Sequence, residues 1–311
     1  MATVGSKAVL AALLANAGIS VAKFAGFLMT RSTSMLAESI HSATDSTNQL
    51  LLLLGARRAQ RPPSPTHPFG YGRERYFWSF VVALLLFSAG AVFAVYQGVA
   101  KVRSPHDLDN IGLAIGILIA GIVLESWSLR TAVQEAQPLR GTTPWSRFIV
   151  TSKQPELPVV LLEDVGALAG LVIALGAVGM AEVTGDPRWD GVGTLAIGVL
   201  LAVIAVVLAR EMQSLLIGEA ADPDDLSAIE TAITSVAAVD RLIHLRTQHL
   251  GPDQILVGAK VAFNQGLGTV AIAAAINSVE EEIRRVVPDA DPIYVEPDLD
   301  RGADYPSSRL R

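Results

Sequence analysis

The chain has 311 residues, 51% of them hydrophobic and 17% charged, with a mean hydropathy of +0.43; ordinary soluble domains carry about 25% charged residues. Its net charge of −6 excludes the concentrated basic surface of a nucleic-acid binder, so no nucleic-acid partner is expected. Cysteine is absent, which excludes disulfides, thiolate metal sites and a cysteine nucleophile, so any bound metal must take nitrogen and oxygen ligands.

Apolar segments of the roughly 20 residues needed to cross a bilayer recur at 8–30, 34–56, 76–100, 110–130, 157–181 and 190–210. They predict an α-helical, multi-pass membrane protein with six transmembrane helices. Lys7 ahead of the first segment resembles the start of a signal peptide, but the apolar core is longer than a signal region and no small-residue cleavage site follows. Asn16 and Lys23 share one face of this first span, where Lys23 is expected to pair with an acid such as Glu38 or Glu125 or to snorkel to an interface.

The second span opens on AESIHSATDSTNQLLLLLG, residues 37–55, with polar groups where each would cost about 2.5–3.5 kcal/mol facing lipid. Glu38, His41, Asp45 and Asn48 are spaced +3, +4 and +3, so a helix turning about 100° per residue gathers them into one stripe. His41 and Asp45, one turn apart, can both reach one divalent ion. The pair alone fits a hydrogen-bonded helix–helix cluster equally well.

The next connection carries Arg57, Arg58, Arg61, Arg73 and Arg75, and RERYFW at the start of span three reads as an interface anchor at headgroup depth. His67 reads as an exposed loop residue before Pro68. Glu125 near the end of span four suits a proton carrier or a partner for Arg130. The connection after span four holds Arg130, Arg140, Arg147 and Lys153, while the opposite side has only Arg31, Lys101, Arg103 and Arg188. The positive-inside rule then places both termini in the cytoplasm, as an even span count requires. A plain N-terminus without a transit peptide points to the cell inner membrane.

Span five begins ELPVVLLEDVGALAGLVIALG and brings a second acidic pair, Glu163 and Asp164. Adjacent residues point about 100° apart, so one can face an ion and the other a neighbouring helix. Gly166, Ala169 and Gly170 permit close approach of another helix. If spans two and five touch, His41, Asp45 and Asp164 converge, with Glu163 the candidate fourth ligand.

After Glu211 the composition becomes that of a soluble domain. DPDDLSAIETAITSVAAV has helical apolar spacing, RLIHLRTQHL and QILVGAKVAF read as strands around the turn GPD, TVAIAAAINSVEEEIRRVV is an amphipathic helix and PIYVEPD a closing strand. The expected organisation is a six-helix membrane domain over 1–212, a small α+β cytoplasmic domain of order αββαβ over 213–298, and a loose tail over 299–311.

With these motifs in hand, the sequence resembles the cation diffusion facilitator transporters over nearly its whole length. The matching stretches are AKFAGFLMTRSTSMLAESIHSATDSTNQ, HPFGYGRERYFW, LLEDVGALAGL and IHLRTQHLGPDQILVGAKVAF, and LLED is similar to the branch of zinc transporter nine. The resemblance implies proton-coupled export of a divalent metal ion by a homodimer, with the ion held between spans two and five. Two places depart from the family pattern. Val160 stands where many members carry a His or Asp ligand, which leaves Glu163 as substitute. Ser64 and Tyr71 stand where members with a loop metal site have an Asp and a second His, so no strong ion site is expected there. In the soluble domain His244 and His249 meet Ala259 and Val295 at the places where further ligands would stand, so a binuclear site is not expected and dimerisation is its expected role.

The expected cargo is Zn2+, with Mn2+, Fe2+ or Co2+ as alternatives because mixed nitrogen and oxygen sites accept all of them; Asn48 would favour an oxygen-richer shell. No resident cofactor is expected. Imidazole ligates only when neutral, and its ordinary pKa of about 6.5 lets protons compete with metal. A metallohydrolase is disfavoured by the lack of H-E-x-x-H, a nucleophile elbow or a phosphate loop, so the chain is not expected to be an enzyme. A non-transporting metal-binding scaffold is the remaining rival.

Overall fold

The computed structural model describes residues 9–299 apart from 11, 12, 15, 19, 22, 23, 26, 27, 29–32 and 106–110, and the side chains of 33–42, 44, 87 and 113 fall outside the described set. The chain divides into two compact units: a helical unit that reaches Ser214, and a second made of residues 61–73 and the chain from Leu215 onward.

In the helical unit, the described residues between 9 and 28 are helical. Then come α1 (Thr33–Ala59), α2 (Glu74–Leu85), a π-helical stretch (Leu86–Val92), α3 (Phe93–Arg103), α4 (Ile111–Arg140), the short α5 (Trp145–Thr151), α6 (Glu156–Thr184) and α7 (Arg188–Ile217). Among the described residues four helices are long and apolar enough to cross a bilayer: Glu74–Arg103, Ala114–Arg140, Glu156–Thr184 and Arg188–Ile217. These are the expected spans three to six. The expected second span is α1, whose 27 residues suffice in length but carry the polar stripe; the expected first span lies partly outside the described residues. A helix satisfies its own backbone groups, which is what a bilayer interior demands. Val172, Val183, Val199 and Val203 accordingly stand exposed on α6 and α7 as an apolar outer surface.

Some boundaries differ from the sequence reading. α4 runs to Arg140 and α7 to Ile217, past the expected ends at 130 and 210. Hydropathy marks only the apolar part of a helix, while hydrogen bonding propagates into polar flanks at little further cost. RERYFW is not a headgroup anchor throughout: Arg75 and Tyr76 are buried within the helical unit, and only Phe77 is exposed. The reason is tertiary, since a buried carboxylate waits opposite Arg75 on another helix.

Small residues set the helix spacings. A Cβ on Gly166 of α6 would come within 2.7 Å of Ile204 Cδ1 on α7, and one on Gly193 of α7 would collide with the Ala177 side chain. The neighbour that the small face of α6 receives is therefore α7. The interior is filled by Leu52, Val82, Ala136, Leu157, Val160 and Leu208, and the missing-ligand position Val160 is a core residue.

The second unit is built on α8 (Pro223–Ser235), β1 (Val239–Gly251), β2 (Gln254–Phe263), α9 (Thr269–Val286) and β3 (Ala290–Pro297), the αββαβ order expected. Pro223 opens α8, with Asp224 and Asp225 in its first turn, where the missing proline N–H costs nothing and carboxylates favour the positive helix end. The strands pair in the order β1-β2-β3, antiparallel then parallel, and α9 supplies the crossover the parallel pair requires. Ile255, Val257, Ala259 and Val261 alternate into a core with Ile229 and Ile283. Residues 61–73 belong to this unit: a Cβ on Gly72 would lie 2.7 Å from the Leu250 carbonyl oxygen, so only glycine lets the loop lie against the β1–β2 turn.

Burial, then the neighbouring Asp222, raises the pKa of Asp225 above its ordinary value, with Asp289 and Asp224 adding to the repulsion and His249 opposing it. Folding thus favours the protonated acid. That contribution is complete below the ordinary aspartate pKa and is lost as pH rises through the raised one. Asp225→Asn is expected to stabilise the second unit at neutral pH by on the order of 0.5 kcal/mol, screening by solvent keeping the gain small. Amide hydrogen exchange of β1 and β2 in the full chain would slow at pH 7 and match wild type near pH 3.

Candidate metal site between helices

α1 presents the polar stripe. Its residues Asn48 and Gln49 are buried, and Asp45 is half-buried. Gln49 Oε1 accepts a hydrogen bond from Asn16 Nδ2 at 3.4 Å, tying α1 to the helical segment before it. His41 lies on α1 one turn before Asp45; its side chain, like those of Ser34 and Glu38, lies outside the described residues, as does Lys23.

α6 brings the second acidic pair. Asn48 Nδ2 donates to Glu163 Oε1 at 3.1 Å, so Glu163 turns towards α1. Asp164 is 4% exposed and accepts from Ser128 Oγ of α4 at 3.0 Å, so it turns towards α4. The two adjacent acids therefore divide between two neighbouring helices, as a 100° offset dictates. The charges of Asp45 and Asp164 act on Glu163, and those of Glu125 and Asp45 act on Asp164, placing four carboxylates from three helices within electrostatic reach of one another.

Two oxygens there, Glu163 Oε2 and Asn48 Oδ1, are buried with no hydrogen-bond partner among the described residues. Buried polar atoms are seldom left so. Both are hard oxygen donors of the kind a divalent cation takes. Among the described residues, which include Asp45, Glu125, Glu163 and Asp164 but not the His41 side chain, no group of three or more His, Cys, Asp or Glu is arranged as a ready metal cage. Sequence reasoning underrated Asn48, which is the direct link from α1 to Glu163, and missed Ser128. The signal for Asn48 was its place on the stripe; for Ser128 it was the +3 spacing from Glu125, which puts both on one face of α4.

The other described histidines belong to the second unit. His67 Nδ1 lies 3.1 Å from Thr66 Oγ1 and its ring stacks on Tyr71 with centroids 4.5 Å apart, while Tyr71 Oη and Ser64 Oγ bond at 3.0 Å. The positions Ser64, His67 and Tyr71 thus satisfy one another. His249 is buried, with Nδ1 3.3 Å from the Gly251 carbonyl oxygen. His244 pairs across the sheet with Lys260, which forms ion pairs with Glu296 at 3.1 Å and Asp298 at 3.0 Å.

Residues 9–217 match the cation efflux transmembrane domain, and the chain belongs to the cation efflux family. It is 30% identical over 261 residues to the mitochondrial proton-coupled zinc antiporter SLC30A9 of Mus musculus, covering 83% of this chain and 46% of that protein. The same identity over 261 residues relates it to metal tolerance protein C4 of Arabidopsis thaliana, covering 83% and 57%. The metal cation efflux system protein CzcD of Cupriavidus metallidurans is 24% identical over 219 residues, 70% of this chain and 64% of that protein. The chain spans about half the length of the SLC30A9 proteins it matches.

Proposed function

We propose that this chain exports a divalent metal ion across a membrane in exchange for protons, with Zn2+ as cargo. The observation that carries this reading is the Asn48–Glu163 bond, which joins the polar stripe of α1 to the acidic pair of α6 and leaves two buried oxygens without partners among the described residues. His41, Asp45, Glu163 and Asp164 replace the water of the entering ion. Several carboxylates held together in a low-dielectric interior repel one another, and either a dication or protons relieve that repulsion. Metal and protons therefore compete for the same groups, so proton entry from the far side releases the ion and neutralises the empty site for its return. The names of SLC30A9 and CzcD support metal transport, and that of SLC30A9 supports both zinc and proton coupling. The protein works as a homodimer in the cell inner membrane, and its loop charges favour both termini lying in the cytoplasm.

Reconstituted into vesicles, the protein is expected to move Zn2+ only when a pH gradient is imposed, with flux reversing when the gradient is reversed. Zinc flux indifferent to the gradient would remove proton coupling. Bound zinc without any flux would favour a scaffold. Asn48 supports a second cargo: its amide oxygen, without a partner among the described residues, suits Mn2+, Fe2+ or Co2+, and manganese flux in the absence of zinc flux would establish it.

A further inference from the structure

The most deeply buried ion pair described in the helical unit plays no part in the metal site above. Arg75, near the start of α2, donates through Nε to Glu156 Oε1 at 2.5 Å and through Nη2 to Oε2 at 2.7 Å, and the side chains are 3% and 4% exposed. Glu156 sits in the first turn of α6, where the helix dipole favours a carboxylate. A buried pair of this kind gains little over two packed apolar side chains, and its best-attested use is to fix register. The guanidinium fork also fixes the carboxylate plane, a directional constraint that an apolar contact lacks.

Glu156 and Glu163 are seven residues apart, about two helical turns, which leaves them within roughly 20° of one another around the α6 axis. One face of α6 is thus held at two heights, by Arg75 of α2 and by Asn48 of α1. The two partner helices are themselves keyed together. Trp78 of α2 packs on Gly55 of α1, where a Cβ would come within 2.9 Å of the Trp78 Cβ. The Arg58 guanidinium lies 5.2 Å from the Trp78 ring centre, and Trp78 Nε1 donates to Glu74 Oε2 at 2.7 Å. A rotation of α6 by a single residue position would exchange Glu163 for Asp164 opposite Asn48.

We propose that Arg75 and Glu156 are positioning residues: their ion pair sets the rotation of α6 so that Glu163, and not Asp164, meets Asn48 on α1. The consequence for transport rests on the reading of Glu163 as a ligand, whereas the positioning itself is measurable without metal.

The chain contains no cysteine, so pairs can be placed in the otherwise native protein. Asn48→Cys is combined with Glu163→Cys in one protein and with Asp164→Cys in another. A short bifunctional thiol reagent is expected to link the first pair about tenfold faster than the second, because reaction follows orientation. Adding Glu156→Gln should bring the two rates within about twofold, and the exchanged pair Arg75→Glu with Glu156→Arg should restore the preference. Arg75→Lys, which keeps the charge but loses the fork, serves where Glu156→Gln fails to fold and should also erase the preference. A preference that survives both variants overturns the proposal. A lost preference that the exchanged pair does not restore overturns it as well, because the pair would then hold the fold without setting the rotation. Zinc binding by Glu163→Gln at wild-type affinity, with the cross-linking pattern as expected, would instead sink the ligand reading and leave the positioning intact.

Discussion

Glu163→Gln and Asp164→Asn should each reduce zinc flux in vesicles by on the order of 100-fold, while leaving the protein folded in detergent. Both replacements keep shape and volume. The amide oxygen of Gln can still accept from Asn48 Nδ2, and that of Asn from Ser128 Oγ, so the helix contacts survive. What each removes is a formal negative charge at the proposed ion site. Loss of an outer-shell partner alone costs about 10–100-fold in metal affinity, and loss of a ligand charge should exceed that range. Calorimetric zinc titration would show the weakened binding directly, and size-exclusion chromatography would show the unchanged fold. Wild-type flux from both variants would remove the α1–α6 site from the mechanism.

Gly98→Ala should destabilise the helical unit strongly for a single added methyl group. A Cβ there would lie 2.8 Å from the Leu195 backbone nitrogen and 2.7 Å from its Cγ, so α3 and α7 would have to separate. Gly198 and Gly191, seven residues apart on α7, meet the Val95 and Val102 backbone nitrogens of α3 at 2.9 Å and 2.8 Å in the same way. Overpacking of this kind costs about 1–3 kcal/mol, and backbone atoms cannot swing aside as the end of a side chain can. Gly176→Ala on α6 is the contrast: nothing lies within 4 Å of the added methyl, and alanine's better helix propensity should stabilise by about 0.5–1 kcal/mol. Thermal unfolding in detergent should therefore move in opposite directions for the two variants. Equal gains would mean that helix propensity, not close approach, governs both positions.

Some of this was legible from spacing alone. The polar stripe of α1 and the αββαβ order of the second unit follow from short periodicities of 3.6 and 2 residues, and the spans formed by α2 with α3, α4, α6 and α7 follow from unbroken apolar length, all of which each segment carries within itself. The role of the small residues on α6 was also visible, since closely packed membrane helices need them. The identity of their neighbour was not: nothing in Gly166 or Gly170 names Ile204 or Ile197. RERYFW was misread for the same reason. An arginine beside aromatics looks like a headgroup anchor until Glu156, 81 residues later, is placed against it.

The division between Glu163 and Asp164 shows the limit most plainly. Their adjacency in sequence determined that they point about 100° apart. Which of them turns to α1 and which to α4 is a property of how α6 is rotated against its neighbours. That rotation is set by distant contacts, Arg75 with Glu156 and Asn48 with Glu163, whose members lie 81 and 115 residues apart. Sequence by itself determined what each helix carries and on which of its own faces, because helical geometry is local. Only the tertiary structure decided which faces meet, because that depends on side-chain fit and charge pairing between segments with no spacing relation in the chain.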